Sequence, residues 1–244
     1  MAQMIKTIQE ESFAILQSGK YSDFVLDCNG IEWNLHKAIV CIHSPTITAG
    51  LDAPSTKPTL EDRYSCSQYD VATIARLIQF LYVGDYSSSP ELAGTWPSLE
   101  ILWEESRQSQ LQDAGQPCPR SLQAEVSLNI AAEFFGIPAL LAMTRARAEE
   151  IIKHHWNAAE FPALLKDAEE NVGDEYFWKI LVNAAAVHME SLTKSSEFHE
   201  VDWQARTYKQ IFCAQAQMVE ERKAWQQTMS SQLSYVPLAQ AQLY

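Results

Sequence analysis

Two short runs near the start of the chain have the character of strands. They are Asp23–Cys28 and Ile31–Leu35, and three apolar residues of the second run alternate with two polar ones. Such alternation is typical of a strand with one buried face. Asn29 and Gly30, which separate the runs, readily adopt the positive φ angles of a two-residue type I′ turn. The pattern predicts a half-buried β-hairpin.

Short elements are predicted directly after this hairpin. The apolar segment Ala38–Ile42 has the length of a two-turn helix, and Ser44-Pro45 is a good start for another, since Ser caps helix N-termini and Pro suits the first helical position. Leu51–Pro58 contains two prolines and predicts a loop, which Thr59–Asp62 would follow as a short strand.

Helical spacing of apolar residues dominates the rest of the chain. Gly84 and Gly136 follow two of the helical patterns, where a left-handed glycine commonly ends a helix. Asn157 is a candidate N-cap for a helix that contains Phe161. The predicted helices are residues 1–17, 71–82, 121–135 and 138–152, with three more helical segments beyond them. The last of the three is predicted as one long helix from Ser196. Its apolar residues are spaced by seven and four, which suggests that the helix packs on the rest of the chain or on a partner.

Residues 87–120 interrupt this helical pattern. They contain stretches rich in Ser, Pro and Gln. A long loop is tolerated, because doubling the length of a loop costs only about 0.6 kcal/mol. We therefore predict a long surface insertion at 87–120. The last residues, 230–244, have no pattern that predicts an element.

Composition narrows the class of protein. The 244 residues are 47% apolar and 20% charged, which is typical of a globular chain. No window reaches the roughly 18 apolar residues of a membrane helix, and the first residues do not form the unbroken apolar stretch of an export signal. The net charge of −13 disfavours nucleic-acid binding, which requires Lys and Arg to neutralise phosphates. We expect an intracellular protein, in the cytoplasm or nucleus, that binds neither nucleic acid nor membrane.

Candidate chemistry is sparse. Cys28, His36, Cys41 and His43 lie close in sequence, but their spacing does not fit the common zinc patterns, and buried thiols are the alternative interpretation. The five cysteines include no C-x-x-C pair, and no nucleotide-binding or hydrolase motif is present. We predict no metal, no cofactor, no catalytic residue and no small-molecule substrate.

Several motifs together resemble the BTB/POZ domain family, in particular its fungal members. The S-G-K-Y-S-D text at 18–23, His36-Lys37, Ser44-Pro45, and QFLYVGDY at 79–86 carry the resemblance, with AAEFFGIP at 131–138 as a further match. The resemblance implies an α+β fold, with a small β-sheet flanked by helices, followed by an all-α C-terminal region. The implied boundaries are a lead-in helix at 1–17, the BTB/POZ domain at 18–150, a helical region at 151–229 and a tail at 230–244.

The resemblance also implies a non-enzymatic protein-interaction role with protein partners, a homodimer and, in many members, recruitment of a cullin-type ubiquitin-ligase scaffold. The residues that it suggests for interaction are Asp23, His36, Lys37, His43 and Leu51. For the first three, the alternative is a polar cluster that fixes the hairpin to the next helix.

One departure from the family pattern concerns cullin recruitment. Cullin-binding members often carry an apolar-x-Glu motif after the Ser-Pro helix, whereas this chain has Leu51-Asp52-Ala53. Two alternatives to a cullin adaptor are therefore open. One is a BTB-type transcriptional co-regulator, and the other is a scaffold that binds no cullin.

Overall fold

The computed structural model describes residues 2–53, 62–87 and 121–233. Apart from Ser87, the predicted insertion lies outside these residues, as does the tail after residue 233 and most of the predicted strand at 59–62. The helices are α1 Ala2–Ser18, α2 Lys37–His43, α3 Pro45–Asp52, α4 Val71–Val83, α5 Leu122–Phe134, α6 Pro138–His154, α7 Phe161–Asn171, α8 Glu175–Val187, α9 Met189–Leu192, α10 Ser196–Glu200 and α11 Ala205–Leu233, and the strands are β1 Phe24–Cys28, β2 Ile31–Leu35 and β3 Asp62–Ser65.

The predicted hairpin is present. Strands β1 and β2 pair antiparallel with Phe24 opposite Leu35, and Asn29 and Gly30 have φ angles of 52° and 84°. Strand β3 lies parallel to β1 on its other side, which gives the sheet order β2-β1-β3. Its described residues are Asp62–Ser65, and residues 59–61 of the predicted strand fall outside the described part of the chain.

Ser44 joins the start of α3 to the end of α5. Its hydroxyl accepts a hydrogen bond from the Ile47 N–H at the start of α3 and donates one to the Phe135 carbonyl at 2.8 Å. The turn after α5 comes so close that a Cβ on Gly136 would lie 3.0 Å from the Pro45 Cγ, and Gly136 has a φ angle of +67°. Glycine is required there both by conformation and by space.

Helix α4 is capped at both ends as its sequence predicts. The Asp70 carboxylate accepts from the Thr73 N–H at 2.8 Å, and Gly84 ends the helix in the left-handed conformation. Nine of the 13 residues of α4 are buried, and the helix packs in a core formed with the sheet, α1 and α5.

The chain divides into two compact units, residues 1–157 with 170–178 and residues 158–169 with 179–244. Within the second unit, the prediction of one long helix from Ser196 is wrong. Helix α10 ends at Glu200, and α11 begins only at Ala205. The break allows Trp203 to turn inward, where its indole N–H donates to the Phe198 carbonyl at 3.2 Å and its ring stacks at 5.5 Å from that of Phe198.

The helix predicted from an Asn157 N-cap also differs, because α7 begins only at Phe161 after a turn at 158–160. Among the described helices, none combines the length and the apolar character that would let it cross a membrane.

Candidate functional site

The first candidate cluster lies where the hairpin meets α2. The Asp23 carboxylate accepts a hydrogen bond from the Lys37 backbone N–H at 2.7 Å, so it satisfies one of the open donors at the helix N-terminus. The Lys37 ammonium pairs with Asp62 on β3, and this hydrogen bond raises the pKa of Lys37. Asp23 and Asp62 are exposed and Lys37 is half-buried. The cluster links the edge strand to α2 and leaves two carboxylates at the surface.

His36 is buried beside this cluster, with 8% of its surface exposed. Its Nδ1 lies 2.7 Å from the Tyr82 hydroxyl and its Nε2 lies 2.8 Å from the Lys20 carbonyl oxygen. The same hydroxyl accepts from the His36 backbone N–H at 2.9 Å. A neutral ring with the proton on Nε2 satisfies all three contacts, because the hydroxyl can then donate to Nδ1. This geometry favours a structural role for His36.

His43, at the other end of α2, is exposed and lines a groove of about 350 Å³. The groove lies between α1, α2, the end of α4 and the start of α6, and Gln9 Nε2 donates to the Val83 carbonyl at 2.8 Å on its wall. Its remaining lining residues are mostly apolar: Ile8, Phe80, Leu81, Tyr82, Val83, Gly84 and Ala139.

Two apolar side chains of α1 and α2 are open to solvent, one in the lining of the groove and one outside it. Ile8 in its lining is 52% exposed, and Ile42, the neighbour of His43 in sequence, is 77% exposed. Contiguous exposed apolar surface is uncommon on monomeric proteins and marks interaction sites. We refer to the groove with these two side chains as the α1–α2 groove.

Leu51 differs from the other candidates, because its side chain packs partly buried against the hydrophobic core. It lies near the end of α3, whose C-cap is Ala53. The structure therefore brings Asp23, His36 and Lys37 together and places His43 in the α1–α2 groove.

A buried polar network that the sequence analysis missed joins the end of α4 to α5 and α6. The Tyr86 hydroxyl donates to Glu125 at 2.5 Å, and both residues are almost fully buried. The Arg147 guanidinium stacks 3.7 Å from the centre of the Tyr86 ring, donates to the Tyr86 carbonyl and pairs with Asp85. In the sequence, only the pair Asp85-Tyr86 at the end of the QFLYVGDY motif could have indicated this network. The network fixes the chain just before residues 88–120.

A second network holds residues 170–178 on the first unit. Asp174 receives two hydrogen bonds of 2.7 Å from Arg145 and one of 3.0 Å from Asn129. Burial raises the pKa of Asp174, but these bonds outweigh it and hold the pKa below its ordinary value. Arg145 also stacks 5.0 Å from the centre of the exposed Tyr176 ring.

Cysteine and histidine do not form a site in the part of the chain that the structure describes. Cys28 and Cys66 are fully buried, and burial raises the pKa of both thiols. Within the described ranges, no group of three or more His, Cys, Asp or Glu side chains is placed to hold a metal ion.

The three-stranded sheet, the helices around it and the α1–α2 groove can now be compared with known proteins. Residues 13–104 match the BTB/POZ domain family. The chain contains a BTB/POZ domain. The search of curated proteins found no matching relative. The fold is a BTB/POZ domain with a small sheet flanked by helices, followed by a helical C-terminal region, and the BTB/POZ domain is a protein-interaction module.

Proposed function

We propose that the chain is a non-enzymatic intracellular scaffold whose BTB/POZ domain self-associates as a homodimer through the α1–α2 groove. The observation that carries this proposal is the exposure of Ile8 in an apolar groove of an interaction domain, together with the exposure of Ile42 next to His43 on α2. Exposed aliphatic side chains are stabilised by transfer from water at about 25 cal/mol per Å² of apolar area.

The charged cluster at the start of α2 lies close to the groove, because the neighbouring His36 bonds Tyr82, which lines the groove. Asp23 and Asp62 present carboxylates to solvent around a half-buried Lys37. Charges at the rim of an interface contribute more to partner choice and association rate than to affinity. We therefore assign Asp23, Lys37 and His43 to the rim, and we assign His36 to the support beneath it.

Cullin recruitment is the weaker alternative. Leu51, the apolar residue of the expected cullin motif, already packs against the core of its own domain, and Ala53 replaces the acid. A missing charged contact at an interface can cost a few kcal/mol when its partner is left unpaired. The net charge of −13 likewise disfavours a co-regulator that contacts DNA through this chain.

The test is the solution mass of the purified chain by light scattering. We expect the wild-type chain to contain at least two copies, and an Ile8→Glu, Ile42→Glu variant to lose that association, because each new carboxylate would be buried without a partner. The matched control is Gln17→Glu with Gln68→Glu, which adds the same charge at two exposed positions outside the groove lining. A wild-type monomer, or equal masses for both variants and wild type, would contradict the proposal.

The same preparation can be mixed with the N-terminal domain of a cullin scaffold. We expect no complex. A complex that is lost on Leu51→Ala would instead establish the adaptor role and overturn the preference for a scaffold without cullin.

A further inference from the structure

Helix α11 has an apolar stripe that no other described residue covers fully. Tyr208, Phe212, Val219, Trp225 and Met229 are 51%, 72%, 46%, 64% and 39% exposed. From residue 220 to 230 every side chain of the helix is exposed. Large aromatic side chains with more than half of their surface in water are the usual anchors of protein interfaces.

Three residues of the stripe, Tyr208, Trp225 and Met229, lie at positions of a heptad repeat, in which Ile211 is buried. Residues at alternating spacings of three and four from Tyr208 are five apolar side chains with one Gln and one Arg between them. Phe212 and Val219 widen the stripe on one side. Apolar residues in this pattern favour pairing with a second helix. The residues at the heptad positions are Tyr208, Ile211, Gln215, Met218, Arg222, Trp225 and Met229.

A groove of about 440 Å³ lies at the start of the same helix. Met189 and Phe198 form it together with five residues of α11, Tyr208, Lys209, Ile211, Phe212 and Gln215. Helix α11 therefore carries a cavity near its first turns and two projecting side chains, Trp225 and Met229, near its last turns. A helix with both features can fill its cavity from a second copy that runs in the opposite direction.

We propose that α11 pairs antiparallel with α11 of a second copy of this chain. With the two-fold axis near Glu220, Trp225 of each copy lies opposite Gln215 of the other, and Met229 lies opposite Ile211. Both projecting side chains then enter the groove of the opposite copy.

Charge is compatible with this direction. A parallel pair would place Arg222 against Arg222 in the middle of the stripe. In the antiparallel pair Arg222 lies opposite Met218 and one turn from Glu221 of the other copy. The two Glu221 side chains approach each other on one edge, where the two Arg222 side chains can neutralise them.

The area that can be buried agrees with a stable pair. Aromatic side chains bury about 150–250 Å² each, so the exposed parts of Tyr208, Phe212 and Trp225 supply roughly 400 Å² per copy. Val219, Met229 and the flanking polar side chains bring the total for two copies above the approximately 1,000 Å² of a biological interface.

This interface is independent of the proposed BTB/POZ homodimer, because it uses residues of the second unit only. The test is again the solution mass, now of a Phe212→Glu, Trp225→Glu variant beside wild type. We expect the variant to lose the α11 contact, which halves the mass wherever that contact alone joins two copies. If the BTB/POZ dimer also forms, the variant remains a dimer, and if that proposal fails, the variant is a monomer.

The matched control is Ala216→Glu with Gln227→Glu, which adds the same charge on the opposite, exposed face of α11. It should keep the wild-type mass. The decisive comparison is made in the Ile8→Glu, Ile42→Glu background, where equal masses with and without Phe212→Glu, Trp225→Glu would overturn the proposal, as would a wild-type monomer. Circular dichroism should show unchanged helix content for both variants. If the double variant has lost helix, Trp225→Ala replaces it with the same expected direction.

Direction is tested by Met218→Glu. In the antiparallel pair the new carboxylate faces Arg222 of the other copy, so association should persist and weaken in high salt. In a parallel pair the new carboxylate would face the same carboxylate of the other copy. Loss of association in this variant at low salt would overturn the antiparallel arrangement.

Discussion

Tyr86→Phe tests whether the buried network after α4 stabilises the first unit. The substitution removes one hydroxyl and keeps the ring, so the stacking of Arg147 at 3.7 Å is retained. What is lost is the 2.5 Å hydrogen bond to the Glu125 carboxylate, which is 3% exposed. Burial raises the pKa of Tyr86 well above its ordinary value, so the hydroxyl is a neutral donor throughout the usual pH range.

A hydrogen bond to a charged group contributes about 1.5–3 kcal/mol, and we expect Tyr86→Phe to lower the free energy of unfolding by that amount. For a chain of this size the midpoint of thermal unfolding should fall by roughly 5 °C. Urea denaturation of the full chain measures the change. The control is Tyr21→Phe, the same chemical change at a side chain that is 80% exposed, and it should have almost no effect. A loss below about 0.5 kcal/mol for Tyr86→Phe would refute the reasoning.

The remaining predictions concern other buried contacts of the first unit. Asp174→Asn should lower the free energy of unfolding at neutral pH. Because the pKa of Asp174 is depressed in the folded chain, its contribution to stability is present above the unfolded pKa of about 3.9 and is lost as the pH falls further. The denaturation curves of variant and wild type should therefore converge at acid pH. Gly136→Ala should cost more than Gly84→Ala in urea, since both have positive φ but only Gly136 has a neighbour within 4 Å of the added Cβ. Equal losses would contradict this. His36→Ala should cost about 1–3 kcal/mol by leaving the Tyr82 hydroxyl without its ring partner, and an unchanged midpoint would disprove the proposed geometry.

The local elements could be predicted because their signals lie within a few residues of each other. Asn29-Gly30 determines the hairpin turn, Ser44-Pro45 the start of α3, and Gly84 the end of α4. Each is a matter of backbone conformation or of one capping bond, so the sequence alone is informative.

Contacts between distant residues could not be predicted in the same way. Nothing near Glu125 indicates that it receives the hydroxyl of Tyr86, and nothing near Asp62 indicates that it pairs with Lys37. The break before α11 was missed because Phe198 and Val201 continue the helical spacing, whereas the inward turn of Trp203 depends on a tertiary partner.

For the candidate site, the sequence identified the position of His43 but not the groove around it. Ile8 and Ala139 reach the groove from helices that are far apart in the chain. Of the charged cluster, the sequence indicated Asp23 and Lys37, which belong to the recognised motifs, but not Asp62.

Hydrogen–deuterium exchange at low and high protein concentration tests the central claim most directly, because it locates the surface that self-associates. The account predicts that peptides containing Ile8 and Ile42 gain protection as concentration rises, while the exposed turn at Asn29-Gly30 does not change. Protection confined to α11, with no change in α1 or α2, would contradict self-association through the α1–α2 groove.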